Sequence, residues 1–334
     1  MKISNIKKVL ILGSNSLAAS WTIYELLNKK IKVIGINRSD ERMMSFLKHK
    51  SSKFLKFYKF YKFDLNKNND KIIELILTEK PQIIIDFAGQ GMVAPSWNFP
   101  DQWYFTNVVS KVKIHNALKE KNFLNLYIRI STPEVYGNVT GEIKENKLYK
   151  PSTPYAVSHS AIDQSLDIFH QQYGFPCIIA RFSNFYGPYQ KLYRIIPRTF
   201  LSAINNEILP LHGGGKSIRS FIYSGDVANA IFKMIQFGKI GEIYHFSSNE
   251  FVTISRLVNK ISKIVGVKSK NFIKITDDRP GKDMQYKMNS LKARKKLFWK
   301  PKINLDTGLV NTHEWIKKEY KKINNLSRDY KHKI

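Results

Sequence analysis

Short apolar runs separated by amphipathic stretches dominate the first half of this chain. Val9-Leu10-Ile11-Leu12 has no polar face, so Lys8–Leu12 predicts a buried strand. A Gly13-Ser14-Asn15 break follows, then a stretch with helical spacing as far as Asn28. Further apolar runs at 31–36, 83–88, 124–131 and Cys177–Phe182 predict strands, and helical periodicity fills 70–79, 106–120 and 156–173. Strands alternating with helices form βαβ units, which predicts an α/β fold with a doubly wound parallel sheet. Beyond Gly187-Pro188 the alternation loosens, with turns at Gly213-Gly214-Gly215 and Asp277-Asp278-Arg279-Pro280-Gly281. The pattern therefore divides into a first domain over 1–180 and a smaller second one over 181–330, with 221–246 returning to the first sheet.

At 334 residues the chain is long enough for a substantial core, and 43% hydrophobic with 24% charged residues is ordinary for a soluble globular protein. A single cysteine, Cys177, excludes a disulfide framework and a cysteine-based zinc site, and suits a reducing cytoplasm. Lys7-Lys8 before an apolar run mimics a secretion signal, but the run stops after four residues at Gly13, so a cytoplasmic location is expected. No apolar stretch approaches a membrane span. The net charge of +29 raises nucleic-acid binding as an alternative. The basic residues are dispersed, however, and the densest patches, 53–62 and 317–333, read equally well as solvated surface. Neither a nucleic-acid nor a membrane partner is expected; a basic surface would also help to collect an anionic small molecule.

Two segments carry candidate chemistry. Ser131-Thr132-Pro133-Glu134-Val135-Tyr136-Gly137 closes a predicted strand, and Tyr155-Ala156-Val157-Ser158-His159 opens a predicted helix. The first resembles the S-T-D-E-V-Y-G strand end of nucleotide-sugar 4,6-dehydratases, of the dTDP-glucose and GDP-mannose types, among the extended short-chain dehydrogenase/reductases. The second resembles the Y-x-x-x-K helix of that family, with His159 in place of the lysine. Arg181-Phe182-Ser183-Asn184-Phe185-Tyr186-Gly187-Pro188-Tyr189-Gln190 is similar to the family's R-x-S-N-x-Y-G-P-Y-Q, and short matches continue in order from about residue 8 to 316.

The resemblance implies a Rossmann domain for a nicotinamide dinucleotide and a smaller C-terminal domain for a nucleotide-sugar. A strand, glycine turn and helix would set the pyrophosphate on a helix N-terminus. Gly13, Asn15, Ser16 and Leu17 stand in that turn, with Ser16 and Ala19 replacing the family's second and third glycines. Asn37 and Arg38 stand where an NAD site usually has a carboxylate, which modestly favours NADP over NAD. Asp64 and Leu65 match the pair beside the adenine, Ala88, Gly89 and Gln90 the loop along the cofactor, and Asn107 a helix residue supporting the active site.

For the chemistry, the resemblance implies Tyr155 as base at the sugar C4 hydroxyl, Thr132 as its partner, Glu134 as the C5 base, and His159 beside the nicotinamide ribose. A lysine at 159 would lower the tyrosine pKa by its charge; His159 could do so only when protonated. Pro133 cannot donate the proton that dTDP-glucose dehydratases take from an aspartate. Ser96, Asn184, Pro197, Arg198, Arg219 and Arg279 would bind the substrate. Three readings stay open on sequence: a 4,6-dehydratase, an NDP-sugar epimerase or ketoreductase, and a catalytically impaired nucleotide-sugar binder. By analogy the helices near 106–120 and 156–173 would pair in a homodimer.

Overall fold

The computed structural model describes residues 2–139, 141–277 and 285–333. In chain order the elements begin β1 (Lys8–Leu12), α1 (Leu17–Asn28), β2 (Lys32–Asn37), β3 (Tyr58–Lys62), α2 (Asn69–Glu79) and β4 (Ile83–Asp86). Next come α3 (Pro95–Asn98), α4 (Pro100–Tyr104), α5 (Ser110–Leu118), β5 (Leu126–Ser131), β6 (Glu142–Ile143), α6 (Pro154–Tyr173) and β7 (Cys177–Phe182). They continue with β8 (Asn184–Tyr186), α7 (Ile195–Asn205), β9 (Leu209–His212), β10 (Ile218–Tyr223), α8 (Ser224–Phe237) and β11 (Ile243–Phe246). The last are β12 (Phe251–Thr253), α9 (Ile254–Val265), β13 (Ile273–Thr276), β14 (Lys287–Met288), α10 (Leu291–Leu297) and α11 (Leu305–Ile323).

Seven strands form one parallel sheet in the order β11-β7-β5-β4-β1-β2-β3. This is the doubly wound Rossmann arrangement expected from the sequence. The strands are apolar on both sides because helices cover both faces. Val9, Ile11, Ile83, Ile85, Ile128 and Ile130 pack under α1 and α8. Leu10, Leu12, Ile84 and Tyr127 face α2, α5 and α6.

The remaining strands form a three-stranded sheet, β12-β10-β8, and the pairs β13-β9 and β14-β6. A second core, including Phe200, Phe221, Leu257 and Leu309, joins α7, β10, α9 and α11. Of the segment 221–246, expected to return to the main sheet, α8 packs on that sheet and β11 joins it, whereas β10 does not. β10 stays outside it because Phe221 and Tyr223 pack into the second core, leaving its backbone to pair with β8 and β12.

Two boundaries also differ. The strand expected over 83–88 stops at Asp86, whose Oδ1 accepts from the Ala88 N–H at 3.1 Å and turns the chain. The helix expected over 106–120 starts earlier as α4 and passes through a π-helical turn, Phe105–Val109, that buries Thr106 and Asn107. Among the described residues no helix is long and apolar enough to cross a membrane, and no group of His, Cys, Asp or Glu is arranged to hold a metal.

Candidate active site

A cleft of about 1190 Å³ opens at the carboxyl ends of the parallel strands, where doubly wound sheets place their ligands. Gly13 turns the chain out of β1 with φ +78°. A Cβ there would lie 2.8 Å from the Ala88 nitrogen, so the turn admits only glycine. Ser16 caps α1 by accepting from the Ala19 N–H at 3.3 Å, which sets the positive end of the helix at the cleft. Asn15 ties this turn to the chain after β2, donating to the Ser39 and Asp40 carbonyls at 3.1 and 2.9 Å. Leu17, Asn37, Arg38, Asp64, Leu65, Ala88, Gly89 and Gln90 also border the cleft. Asn107 acts from behind: its Oδ1 accepts from the Gln90 N–H at 2.9 Å, and its Nδ2 donates to the Gln90 carbonyl and to Ser158 Oγ.

Thr132, Glu134, Tyr155 and His159 line the same cleft. Thr132 follows β5, and its Oγ1 accepts from the Glu134 N–H at 3.2 Å, capping the short turn Pro133–Tyr136 that carries the glutamate. Pro133 occupies the first position of that turn, where its missing N–H would have no partner. Tyr155 sits in the first turn of α6, and its N–H donates to Ser96 Oγ at 3.1 Å. Burial and then the Glu134 charge push the Tyr155 phenol above its ordinary range; a hydrogen bond from Thr132 and the charge of Arg194 pull it back.

His159 lies one turn along α6, its ring centroid 4.5 Å from that of Tyr155. Burial, then Arg129 and Lys111, hold its imidazole well below the ordinary value. The protonated His159 that could have stood in for the lysine charge is therefore not available near neutral pH. Its Nδ1 is 2.9 Å from Arg129 Nη2, and its Nε2 is buried without a protein partner.

Behind His159 lies a buried ionic cluster that sequence reasoning missed. Lys111 Nζ donates to Asp86 Oδ2 at 2.7 Å and to the Ala88 carbonyl at 2.6 Å. Arg129 Nη1 reaches Asp86 at 3.4 Å, and its Nε lies 3.7 Å from Asp163. Asp163 also accepts from Ser131 at 2.6 Å and from Arg181 at 3.1 Å. Burial and the neighbouring Arg129 lower Lys111 to about 8. Although burial opposes it, Lys111 and Arg129 hold Asp86 below the usual carboxylate range. The available signal was a charge inside each apolar strand: Asp86 after three isoleucines, Arg129 between Ile128 and Ile130, and Arg181 after Ala180.

On the second domain's side, Asn184 donates to the Ser220 carbonyl at 3.3 Å, and Arg219 lies 4.7 Å over the Tyr286 ring. Arg198 reaches the cleft and pairs with Asp329 at 3.6 Å. Ser96 and Pro197 do not reach it. Ser96 is fully buried, with its hydroxyl donating to the Val93 carbonyl and accepting from Tyr155, and Pro197 is packed within α7. Arg279 lies outside the described residues.

Arg42, Lys191, Arg194 and the segment from Ser327 to Lys333 also border the cleft, and none was assigned to the site from the sequence, where 317–333 stood only as a dense basic patch. Burial, then Arg42, Arg194, Arg38 and Lys333, hold the Lys191 ammonium well below its usual range. The C-terminal segment bridges Arg198 of α7 and the loops that follow β2 and β4. His332 stacks against Phe99 and Trp103 at 5.2 Å from each. The Lys333 carbonyl accepts from Arg38 at 3.2 Å and from Gln90 at 3.0 Å. On sequence alone this basic tail is indistinguishable from solvated surface.

Residues 10–312 match the family model described as GDP-mannose 4,6 dehydratase. The chain is 30% identical over 331 residues to the dTDP-D-glucose 4,6-dehydratase of Bos taurus, covering 94% of this chain and 90% of that protein. It is 29% identical over 339 residues to the human protein of the same name, covering 96% and 93%. Among solved structures it is similar to the dTDP-glucose 4,6-dehydratase of Bacillus anthracis in complex with NAD, with a TM-score of 0.84, 27% identity and 95% and 98% of the two chains covered. A UDP-glucose 4-epimerase from Thermotoga maritima shares the fold at a TM-score of 0.84 and 22% identity, over 94% of this chain and 99% of that one. With the match running through both cores and the cleft between them, the chain belongs to the GDP-mannose 4,6-dehydratase family of extended short-chain dehydrogenase/reductases.

Proposed function

We propose that this chain is a nucleotide-sugar 4,6-dehydratase that works through a 4-keto intermediate with NADP or NAD as cofactor. The observation that carries this reading is the meeting of Thr132, Glu134 and Tyr155 in one cleft with the glycine turn of β1. Three features suit a dinucleotide: the side-chain-free surface at Gly13, the capped N-terminus of α1, and the unpartnered Nε2 of His159. NAD in the Bacillus anthracis relative supports a nicotinamide cofactor. Asn37 and Arg38, with Lys191 and Arg42 nearby, support NADP.

Tyr155 takes the proton of the C4 hydroxyl while Thr132 hydrogen-bonds the same oxygen. A bound nicotinamide supplies acceptance of the C4 hydride and its return to C6. Once C4 is a ketone the C5 proton is acidic, and Glu134 removes it. Pro133 cannot donate, so the proton Glu134 takes from C5 would leave with the C6 hydroxyl as water; once hydride reaches C6, Glu134, reprotonated from water, would return a proton to C5, and Tyr155 would release the C4 hydroxyl proton to solvent. Arg219, Arg198 and Asn184 are suited to the diphosphate of the substrate, a role that matches a planar guanidinium.

The first domain, 1–180 with the β11 strand, would hold the cofactor, and 181–330 would mainly hold the nucleotide-sugar. A homodimer is supported by apolar side chains left exposed along α3 to α6, among them Trp97, Phe105, Val109, Val157 and Ile168. A free, buried Cys177 suits a reducing cytoplasm.

The test is mass spectrometry of the purified protein incubated with GDP-, dTDP-, UDP- and CDP-hexoses plus NADP or NAD. Loss of one water from one sugar is expected, and it identifies the base and the cofactor. Binding without water loss, followed by a separated C4 epimer, would replace the dehydratase by an epimerase.

A further inference from the structure

We propose that Arg129 is a positioning residue that locks His159 in a single tautomer, with a neutral Nε2–H presented to the nicotinamide ribose. This rests on the dinucleotide assignment above. It gives the histidine at 159 a defined task in place of the lysine the family carries there.

Arg129 lies in β5 with its side chain turned toward α5 and α6, on the face shared with Tyr127 and Ser131. It is 1% exposed. Its guanidinium is held on two sides, by Asp86 across the β4–β5 register and by Asp163 of α6. The remaining Nη2 points at His159 Nδ1 at 2.9 Å. A guanidinium has only donors and does not lose its proton in proteins, so Nδ1 is the acceptor and carries no hydrogen. A neutral imidazole with a bare Nδ1 carries its proton on Nε2. That nitrogen has no protein partner, and the ring borders the cleft beside Tyr155.

The surrounding charges keep the ring neutral. Facing it or one residue removed are Lys111 from α5, Asp86 from β4, Arg129 from β5, Asp163 from α6 and Arg181 from β7. Three cations against two carboxylates leave one positive charge in excess, immediately behind the imidazole. A second cation at 159 would meet that charge with its side chain largely buried. The lysine of the family motif is thus incompatible with Arg129 in its present place. The two positions act as a matched pair: a neutral donor in front and a buried cation behind.

The first experiment is a long-range proton–nitrogen spectrum of the cofactor-free protein labelled in its histidines, with the His159 signals assigned by their loss in His159→Gln. The Nε2–H tautomer is expected unchanged from about pH 5 to 8. An Nδ1–H tautomer, or an imidazolium within that range, would overturn the proposal. The second is a pair of variants read by thermal melting and by NADP and NAD affinity. Arg129→Met keeps the apolar stem but removes the donor; its His159 is expected to lose the fixed tautomer and cofactor binding to weaken about tenfold. His159→Lys is expected to melt lower than the parent alone and to recover most of that loss in the Arg129→Met background. Additive losses in the double variant would refute the pairing. Neither readout requires turnover, so a failure here is separable from a failure of the dehydratase assignment.

Discussion

Thr132→Val tests the coupling between the base and the turn that carries Glu134. The single hydroxyl of Thr132 does two things at once: its oxygen accepts from the Glu134 N–H at 3.2 Å, and its proton goes to the Tyr155 phenol. Valine has the same branched shape and fills the same space, so the perturbation is confined to those two hydrogen bonds. At about 1 kcal/mol net for each, the variant loses about 2 kcal/mol of stability, measurable as a lower urea midpoint with an unchanged m-value. The chemical effect has a definite sign. Tyr155 works as its phenolate, so activity rises with pH as the phenol ionises; burial and Glu134 already raise its pKa, and the Thr132 bond opposes them. Removing that bond raises the pKa further. At about 1.4 kcal/mol per pKa unit, losing that bond of about 1 kcal/mol shifts the acid limb of kcat/KM upward by about 0.7 pH unit. At a fixed pH below the limb, kcat/KM falls about fivefold. Thr132→Ser keeps both bonds and stays near the parent. An acid limb for Thr132→Val that coincides with the parent would refute the coupling, even if the protein were less stable.

Two further outcomes follow from the cationic side of the cleft. Lys191 is held well below its usual range by burial, Arg42, Arg194, Arg38 and Lys333, so an anion arriving there raises its pKa again. Binding of NADP is therefore expected to take up protons, seen as a heat of binding that varies with the ionisation enthalpy of the buffer, and Lys191→Met is expected to remove that variation. The strap from Ser327 to Lys333 closes over Arg38, Ser39 and Gln90. Ending the chain at Asn325 is expected to speed cofactor dissociation several-fold in stopped-flow displacement; an unchanged rate would mean the strap plays no part in retaining it.

Most of the sheet was legible because its inner strands are buried on both faces; the edge strand β3, with Lys59 and Lys62 exposed, was not. A strand covered by helices on each side is apolar at most positions, and such runs stand out against the mixed helices between them. The course of 221–246 was not legible: Phe221-Ile222-Tyr223 of β10 and most of β11 are apolar, and periodicity cannot say which of two cores an apolar run joins. That choice is made by Phe221 and Tyr223 against α7 and α11, contacts distant in sequence. The π-helical turn at Phe105–Val109 was equally invisible, because one extra residue per turn barely disturbs helical spacing. Its effect is local: it sends Asn107 inward to hold the Gln90 loop.

The catalytic positions were legible because they sit in two short segments, whereas their electrostatics are set by residues scattered along the chain. Thr132, Glu134 and Tyr155 could be named from sequence, and so could the departure at 159. What that departure means depends on Asp86, Lys111, Arg129, Asp163 and Arg181, which come from five different elements and meet only in the folded sheet. Taken alone, His159 leaves two options open, a protonated substitute for lysine or a lost function. The buried cluster removes the first, since its excess positive charge and its burial both oppose imidazolium. It also weakens the second. A donor aimed at Nδ1 from a residue that can only donate leaves the proton on Nε2, in a ring that borders the cleft. A buried guanidinium without its carboxylates would be strongly destabilising, so Asp86 and Asp163 are as much a part of the site as the histidine they indirectly orient.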